Sequence, residues 1–336
     1  MQSDTVAPSS DEAPTATEVL IHHSVSAVFG SDVCASLHTQ LEDVLPPTVV
    51  VDAATTAPES AAALETADVV LTIRPIADTL PADTAPDWVQ TLNSGVDAYA
   101  LDALADRGVA VTNAAGIAAN PIAEQVLGYL LTFERRIHTG IRQQERDGLW
   151  QRYSAGELRG KTLGIVGVGA IGTRVAELAA AFEMEVIGTK RTPETAPSTV
   201  DEVHPPEGLP ELLARSDYVV LACPLVEETR GLIDAEALMS MRSNAVLVNI
   251  ARGPVVDESA LEDALQQGRI RGAALDVFES EPLPPSSVLW DLPNVVITPH
   301  MAGSTPRYAD RIASLVGENY AHYAAGALEQ FQNRVV

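Results

Sequence analysis

Leu163–Val166 is an apolar run, and Gly167-Val168-Gly169-Ala170-Ile171-Gly172 follows it directly. Thr173–Ala181, next in the chain, is helical by composition. A strand that turns through three spaced glycines into a helix leaves few folds open. Gly167 permits the tight turn, Gly169 lets backbone approach a pyrophosphate, and Gly172 lets helix pack on strand. The helix N-terminus then offers N–H groups and a positive dipole end to an anion. Glycine turns of this spacing are common, so the setting decides. A further strand at Glu185–Thr189 completes the unit, which makes a dinucleotide the expected ligand of Gly167, Gly169, Ala170, Ile171 and Gly172.

The unit belongs to a longer series. From Lys161 on, β-like runs stand at Thr162–Val166, Glu185–Thr189, Tyr218–Ala222, Ala245–Ile250, Gly272–Asp276 and Val295–Thr298, with helical segments between. That alternation describes a doubly wound parallel sheet. Earlier, Glu18–Val25 reads as a first strand that includes His22 and His23 as strand residues rather than ligands. Runs at Thr48–Val51, Val69–Ile73, Val89–Leu92 and Val109–Thr112 follow, so the first hundred residues also read as a parallel α/β sheet. Asn120-Pro121-Ile122-Ala123-Glu124 opens a helix towards His138, with Asn at the cap and Pro at the first position. Residues 138–159 are polar and mixed, and a last helical pattern covers Arg307–Ala325. Residues 1–17, rich in Ser, Thr, Asp, Pro and Ala, read as a mobile acidic arm.

Composition removes several kinds of function. With 336 residues and 46% hydrophobic side chains, two domains with sizeable cores are expected. No apolar run approaches the ~20 residues of a membrane span. Met1-Gln2-Ser3-Asp4 lacks the basic and apolar regions of a secretory signal. Cys34 and Cys223 lie far apart without metal-ligand spacing, so a reducing cytoplasm and no bound metal are expected. Forty-six acids against 21 bases leave a net charge of −25, which repels nucleic-acid backbones and anionic lipid. Lys161 and Lys190 are the only lysines. Lysine scarcity, acid excess and 4% aromatics resemble proteins of salt-in halophiles, where molar salt screens carboxylate repulsion. A high-salt cytoplasm is the expectation.

Chemistry concentrates near strand ends. About 20 residues past the glycine turn, where an acid usually holds the adenosine ribose, the chain reads Lys190-Arg191-Thr192. Two cations and a hydroxyl there would welcome a 2′-phosphate. NADP(H) is therefore expected to be preferred, with NAD(H) usable. In the last third, Asn249-Ile250-Ala251-Arg252-Gly253 ends one strand with an arginine. Ala274–Pro282 (ALDVFESEP) ends the next with acids, and Thr298-Pro299-His300-Met301-Ala302-Gly303 ends the last with a histidine. A guanidinium can hold a carboxylate or polarise a carbonyl, and an imidazolium can protonate a developing alkoxide.

These segments, with Leu158–Ala176 (LRGKTLGIVGVGAIGTRVA) and Asn249–Asp257 (NIARGPVVD), resemble the D-isomer-specific 2-hydroxyacid dehydrogenase family over nearly the whole chain. Arg252 stands 29 positions before Glu281, and Glu281 stands 19 before His300, spacings typical of the family's Arg–Glu–His triad. Glu281 disfavours the formate dehydrogenases, which carry Gln there. The chain departs from the family by lacking the acidic ribose residue, and by Ala118 where Asn is common.

The resemblance implies an α/β fold of two Rossmann-like or flavodoxin-like doubly wound domains separated by a cleft. Residues 1–113 plus 305–336 would be the substrate domain and 114–304 the NAD(P)-binding domain, with helices near 121–138 and 307–325 crossing the hinge. It implies Arg252, Glu281 and His300 as catalytic residues. Arg74, Ser94, Gly95 and Val96 would join Arg252 and His300 in meeting the substrate. Cys223, Pro224, Thr229, Ile250, Ala251, Arg252, Asp276, His300 and Gly303 would complete the cofactor site. It also implies a homodimer built through the nucleotide-binding domain. The activity implied is reversible reduction of 2-keto acids to D-2-hydroxy acids.

The rival reading is a dinucleotide-sensing binding protein of corepressor type, since such proteins resemble the family and keep the triad. The charge of −25 counts against it, as does the absence of a long disordered extension after Val336.

Overall fold

Runs of three to five residues dominated by Val, Ile and Leu have no polar face to leave in water, so they pair laterally and bury both faces. The computed structural model describes residues 16–145 and 148–336 and places these runs in two all-parallel sheets. The first contains β1 (Glu18–Ile21), β2 (Val50–Ala53), β3 (Val69–Thr72), β4 (Trp88–Thr91) and β5 (Ala110–Thr112), in the order β2-β1-β3-β4-β5. The second contains β6 (Thr162–Val166), β7 (Glu185–Thr189), β8 (Glu202–His204), β9 (Tyr218–Leu221), β10 (Val246–Asn249), β11 (Gly272–Leu275) and β12 (Val295–Ile297). Its order is β12-β11-β10-β9-β6-β7-β8.

The chain divides into two compact units, Met1–Ala114 with Arg307–Val336, and Ala115–Pro306. In the first, Leu20, Val70, Val89 and Val111 build the core with Leu64 and Leu104, while helices Ser31–Val44 and Tyr308–Ala324 pack together. Trp88 is fully buried and its indole N–H donates to Thr112 Oγ1 at 2.7 Å, so the ring's polar edge is satisfied. In the second unit, helices Ala119–Glu134 and Ala170–Ala181 pack on each other and on the sheet through Val126, Leu130, Val175 and Ala179. The strand sequence reverses direction between neighbours β6 and β9, the switch point where open α/β sheets bind ligands. Among the described residues no helix is long and apolar enough to cross a membrane.

Several local expectations need correction. The first strand stops at Ile21, and His22 and His23 lie beyond it. Ser24 N donates to His22 Nδ1 at 3.2 Å and Val25 N to His22 O at 3.0 Å, which turns the chain into helix Ser24–Phe29. The long helix starts at Ala119 behind an uncapped Ala118, not at an Asn120 cap. Asn120 lies inside it, its amide engaged with Glu124 and Arg174. That helix also ends at Glu134 rather than near His138, because Arg136 adopts φ +54°. A separate helix, Ile137–Glu145, occupies part of the segment read as mixed. Strand β8 was not anticipated: Glu-Val-His carries one apolar residue and no periodic signal. Residues 1–15 of the expected arm lie outside the described residues. Thr17, counted to that arm, is paired, its carbonyl accepting from Val50 N and its hydroxyl from Tyr320.

His22 is 6% exposed, and burial first, then the neighbouring His23, lowers its pKa to about 4. The folded value lies below the unfolded one near ~6.5. The neutral ring therefore contributes stability that is complete above that unfolded value and is lost as pH falls towards 4. The loss amounts to up to about 3 kcal/mol. Replacing His22 by Asn should flatten the acid limb of a stability-versus-pH curve over that window. An acid limb as steep as that of the parent would contradict the burial account.

Candidate active site

The glycine turn is built by close contact. Gly167 has φ +99°, and a Cβ there would stand 2.8 Å from Cys223 Cα. Backbone of the loop after β9 therefore passes too near for any side chain. Gly167 N and Val168 N donate to Thr189 O at 3.2 and 3.0 Å, tying the turn to the end of β7. A Cβ on Gly172 would lie 2.4 Å from Gly167 O, so helix and turn touch there as well. Gly169 is different. A Cβ on it would meet nothing within 4 Å, and it begins helix Ala170–Ala181 with no side-chain cap. The first N–H groups of that helix, at Ala170 and Ile171, follow this open position, and with the close-packed Gly172 they make a helix N-terminus that fits a pyrophosphate.

Beyond β7, Lys190 is engaged by the protein itself, where the sequence suggested a phosphate ligand. Its Nζ donates to Val168 O at 2.8 Å and braces the glycine turn, while Arg191 and Thr192 are exposed. After β9, burial pushes the Cys223 thiol up to about 11, so it stays protonated and is no nucleophile. The Thr229 hydroxyl accepts from Val226 N at 2.9 Å and donates to Pro224 O at 2.7 Å. It closes its own loop instead of facing outwards.

Arg252, Glu281 and His300 come from the ends of three adjacent strands, β10, β11 and β12. After β10, the Asn249 amide folds the turn, accepting from Ala251 N and donating to Arg252 O, both at 3.1 Å. Ile250 and Ala251 are buried and Arg252 is half-buried. Its guanidinium donates to Ala251 O at 2.7 Å. A Cβ on Gly253 would stand 1.9 Å from Phe278 backbone, so the loops after β10 and β11 are in direct contact. In the second loop, Phe278 N donates to Glu281 Oε1 at 3.0 Å. The other oxygen, Oε2, lies 2.7 Å from His300 Nδ1. A carboxylate can only accept, so Nδ1 carries a proton and Nε2 faces away from Glu281. The imidazole is about half exposed, at 51%.

Asp276, 2% exposed, directs its carboxylate at the loop after β12 that carries His300. Oδ1 accepts from the Thr298 hydroxyl and from Met301 N at 3.0 Å, and Oδ2 from Ala302 N at 2.9 Å. Gly303 follows, and a Cβ on it would stand 3.3 Å from Ala118 Cβ. In the other unit, Arg74 is exposed after β3, with Thr72 Oγ1 bonded to its backbone N–H and carbonyl. Ser94, Gly95 and Val96 follow β4, and Asn93 Nδ2 donates to Ile73 O at 2.8 Å, linking the two loops. All four stand at the carboxyl edge of the five-stranded sheet.

Sequence reasoning missed two groupings. Tyr129 reaches Thr298 from the middle of a helix, where its hydroxyl is hidden in an apolar pattern. Glu202, His204 and Glu211 offer atoms within 4.8 Å of one another. Arg215 bridges Glu202 at 2.7 Å and Glu211 at 3.2 Å, so a guanidinium takes the place between these carboxylates. Its hydrogen bond holds the Glu202 carboxyl below its usual range.

Residues 127–302 match the family described as D-isomer specific 2-hydroxyacid dehydrogenase, NAD binding domain. The glyoxylate reductase of Thermofilum pendens is 38% identical over 244 residues, 70% of this chain and 72% of that protein. A glyoxylate/hydroxypyruvate reductase B of Yersinia pestis is 35% identical over 247 residues, 71% of this chain and 75% of that one. A D-isomer specific 2-hydroxyacid dehydrogenase from Xanthobacter autotrophicus Py2, solved with NADPH and MES, superposes with a TM-score of 0.80. It is 33% identical, and the match covers 96% of this chain and 98% of the other. The chain belongs to the D-isomer specific 2-hydroxyacid dehydrogenase family. It is an NAD(P)-dependent oxidoreductase of 2-keto and 2-hydroxy acids.

Proposed function

We propose that the protein reduces small 2-keto acids of the glyoxylate and hydroxypyruvate class to D-2-hydroxy acids, reversibly, using NADPH in preference to NADH. The observation that carries this reading is the 2.7 Å contact of His300 Nδ1 with Glu281, set on the strand edge that also presents Arg252. A dinucleotide held at the glycine turn would supply the hydride for the carbonyl carbon. Arg252 holds the substrate carboxylate and polarises the carbonyl. His300 gives the Nε2 proton to the carbonyl oxygen as it becomes an alkoxide, and Glu281 orients the ring through Nδ1. Substrate choice is assigned to Arg74, Ser94, Gly95 and Val96. The corepressor-like alternative is not favoured, since the named relatives are reductases.

Two further traits belong to the proposal. Ile137, Ile141, Leu149 and Trp150 are exposed, Trp150 at 97%, on the nucleotide-binding unit, which supports a homodimer through that unit. The charge of −25 with two lysines supports work in high salt.

A panel of 2-keto acids followed at 340 nm tests the activity. NADPH oxidation with glyoxylate or hydroxypyruvate is expected, and His300→Gln should abolish turnover while NADPH binding persists. No oxidation with any 2-keto acid, or full activity in the variant, would overturn the assignment. Cofactor choice rests on Arg191, since Lys190 is engaged by Val168. Arg191→Ala should raise the KM for NADPH about tenfold, the loss of one charge-assisted hydrogen bond, and leave that for NADH nearly unchanged. Lys190→Ala should weaken both cofactors alike. Equal losses in the Arg191 variant would show that it does not read the 2′-phosphate.

A further inference from the structure

His300 adopts φ +48°, a left-handed backbone conformation that is strained for a residue with a Cβ. It persists only if its surroundings enforce it. The enforcement comes from one buried carboxylate. Three donors flanking His300 converge on Asp276: the Thr298 hydroxyl from one side, and the Met301 and Ala302 amides from the other. His300 N itself donates to the Asp276 carbonyl at 2.8 Å. Because the Thr298 hydroxyl donates to Asp276, its oxygen is left to accept, and the Tyr129 hydroxyl donates to it. Tyr129 is 3% exposed, and burial raises its phenol further from ionisation, so it remains a donor.

We propose that Tyr129, Thr298 and Asp276 form a positioning chain that holds the His300 backbone in its left-handed turn and so aims the imidazole for proton transfer. The chain acts through His300 and rests on the reading of His300 as proton donor. Glu281 fixes the ring from its Nδ1 side; the positioning chain fixes the backbone that carries the ring. Either support alone leaves a rotation open. The Asp276 carboxylate, at the end of β11, takes three donors from the neighbouring loop after β12 and so ties the two strand ends together.

Kinetics of four single variants, with NADPH dissociation constants from tryptophan fluorescence and thermal midpoints, test the chain. Thr298→Val removes the hydroxyl and keeps the shape. It should lower kcat on the order of ten- to a hundredfold, as expected for a misplaced catalytic group, while the NADPH dissociation constant stays within about twofold. Thr298→Ser restores the hydroxyl and should recover most of kcat. Tyr129→Phe, which leaves the Thr298–Asp276 bond intact, should give a smaller fall in kcat with the same unchanged NADPH affinity. Unchanged kcat in Thr298→Val would overturn the chain. So would a loss of kcat, NADPH affinity and thermal midpoint together that Ser does not rescue, since that pattern marks a merely structural hydroxyl. His300→Gln is the control: if it alone keeps turnover, the proton-donor reading fails, whereas an inactive His300→Gln beside a fully active Thr298→Val fails the positioning chain only.

Discussion

One row of paired residues governs the nucleotide-binding unit. Thr189 pairs with Val166, Val166 with Leu221, Leu221 with Asn249, Asn249 with Leu275, and Leu275 with Ile297. Each of these is the last residue of its strand, so six parallel strands finish level. The residues that follow are Lys190, Gly167, Ala222, Ile250, Asp276 and Thr298. Parallel pairing therefore turns separations of tens of residues into neighbouring loop starts. A slip of one residue in any strand would exchange its two buried faces and break the row, which is why the register is strongly specified.

The loops then lock to each other by contacts that admit no alternative. Gly167 lies against Cys223 backbone, and Gly253 against Phe278 backbone. The Asn249 amide folds the turn after β10, and the Asp276 carboxylate reaches across from the end of β11 to accept from backbone of the loop after β12. The outcome is a rigid edge that carries one strained residue, His300, whose ring meets Glu281. Strain at such a position is stable because the surrounding hydrogen bonds over-determine it. Rigidity also matters energetically, because a proton donor fixed beforehand adds no reorganisation cost at the moment of reaction.

The α/β character, the two sheets and nearly every strand of the fold were readable, since buried parallel strands appear as short apolar runs at even spacing. β8 escaped because its three residues sit half-buried at a sheet edge and offer no pattern. The candidate catalytic residues could be picked out because strand ends are legible and the motifs Asn249–Asp257 and Thr298–Gly303 are compact. What could not be read was the direction of side chains. Lys190 seemed a phosphate ligand, yet its ammonium turns back to Val168; Asp276 turns to the loop after β12, and Thr298 turns to Asp276. Tyr129 lies 169 positions from its partner Thr298, and only the packing of helix on sheet brings them together.

The central claim is that this edge aligns a 2-keto acid for direct hydride delivery to one face while His300 protonates the oxygen. NADPH deuterated at nicotinamide C4 on its transferable face, incubated with hydroxypyruvate, tests it in a single product analysis by mass spectrometry and chiral chromatography. The account predicts deuterium at C2 of a 2-hydroxy acid of D configuration. Product of L configuration, or product without deuterium at C2, would contradict it.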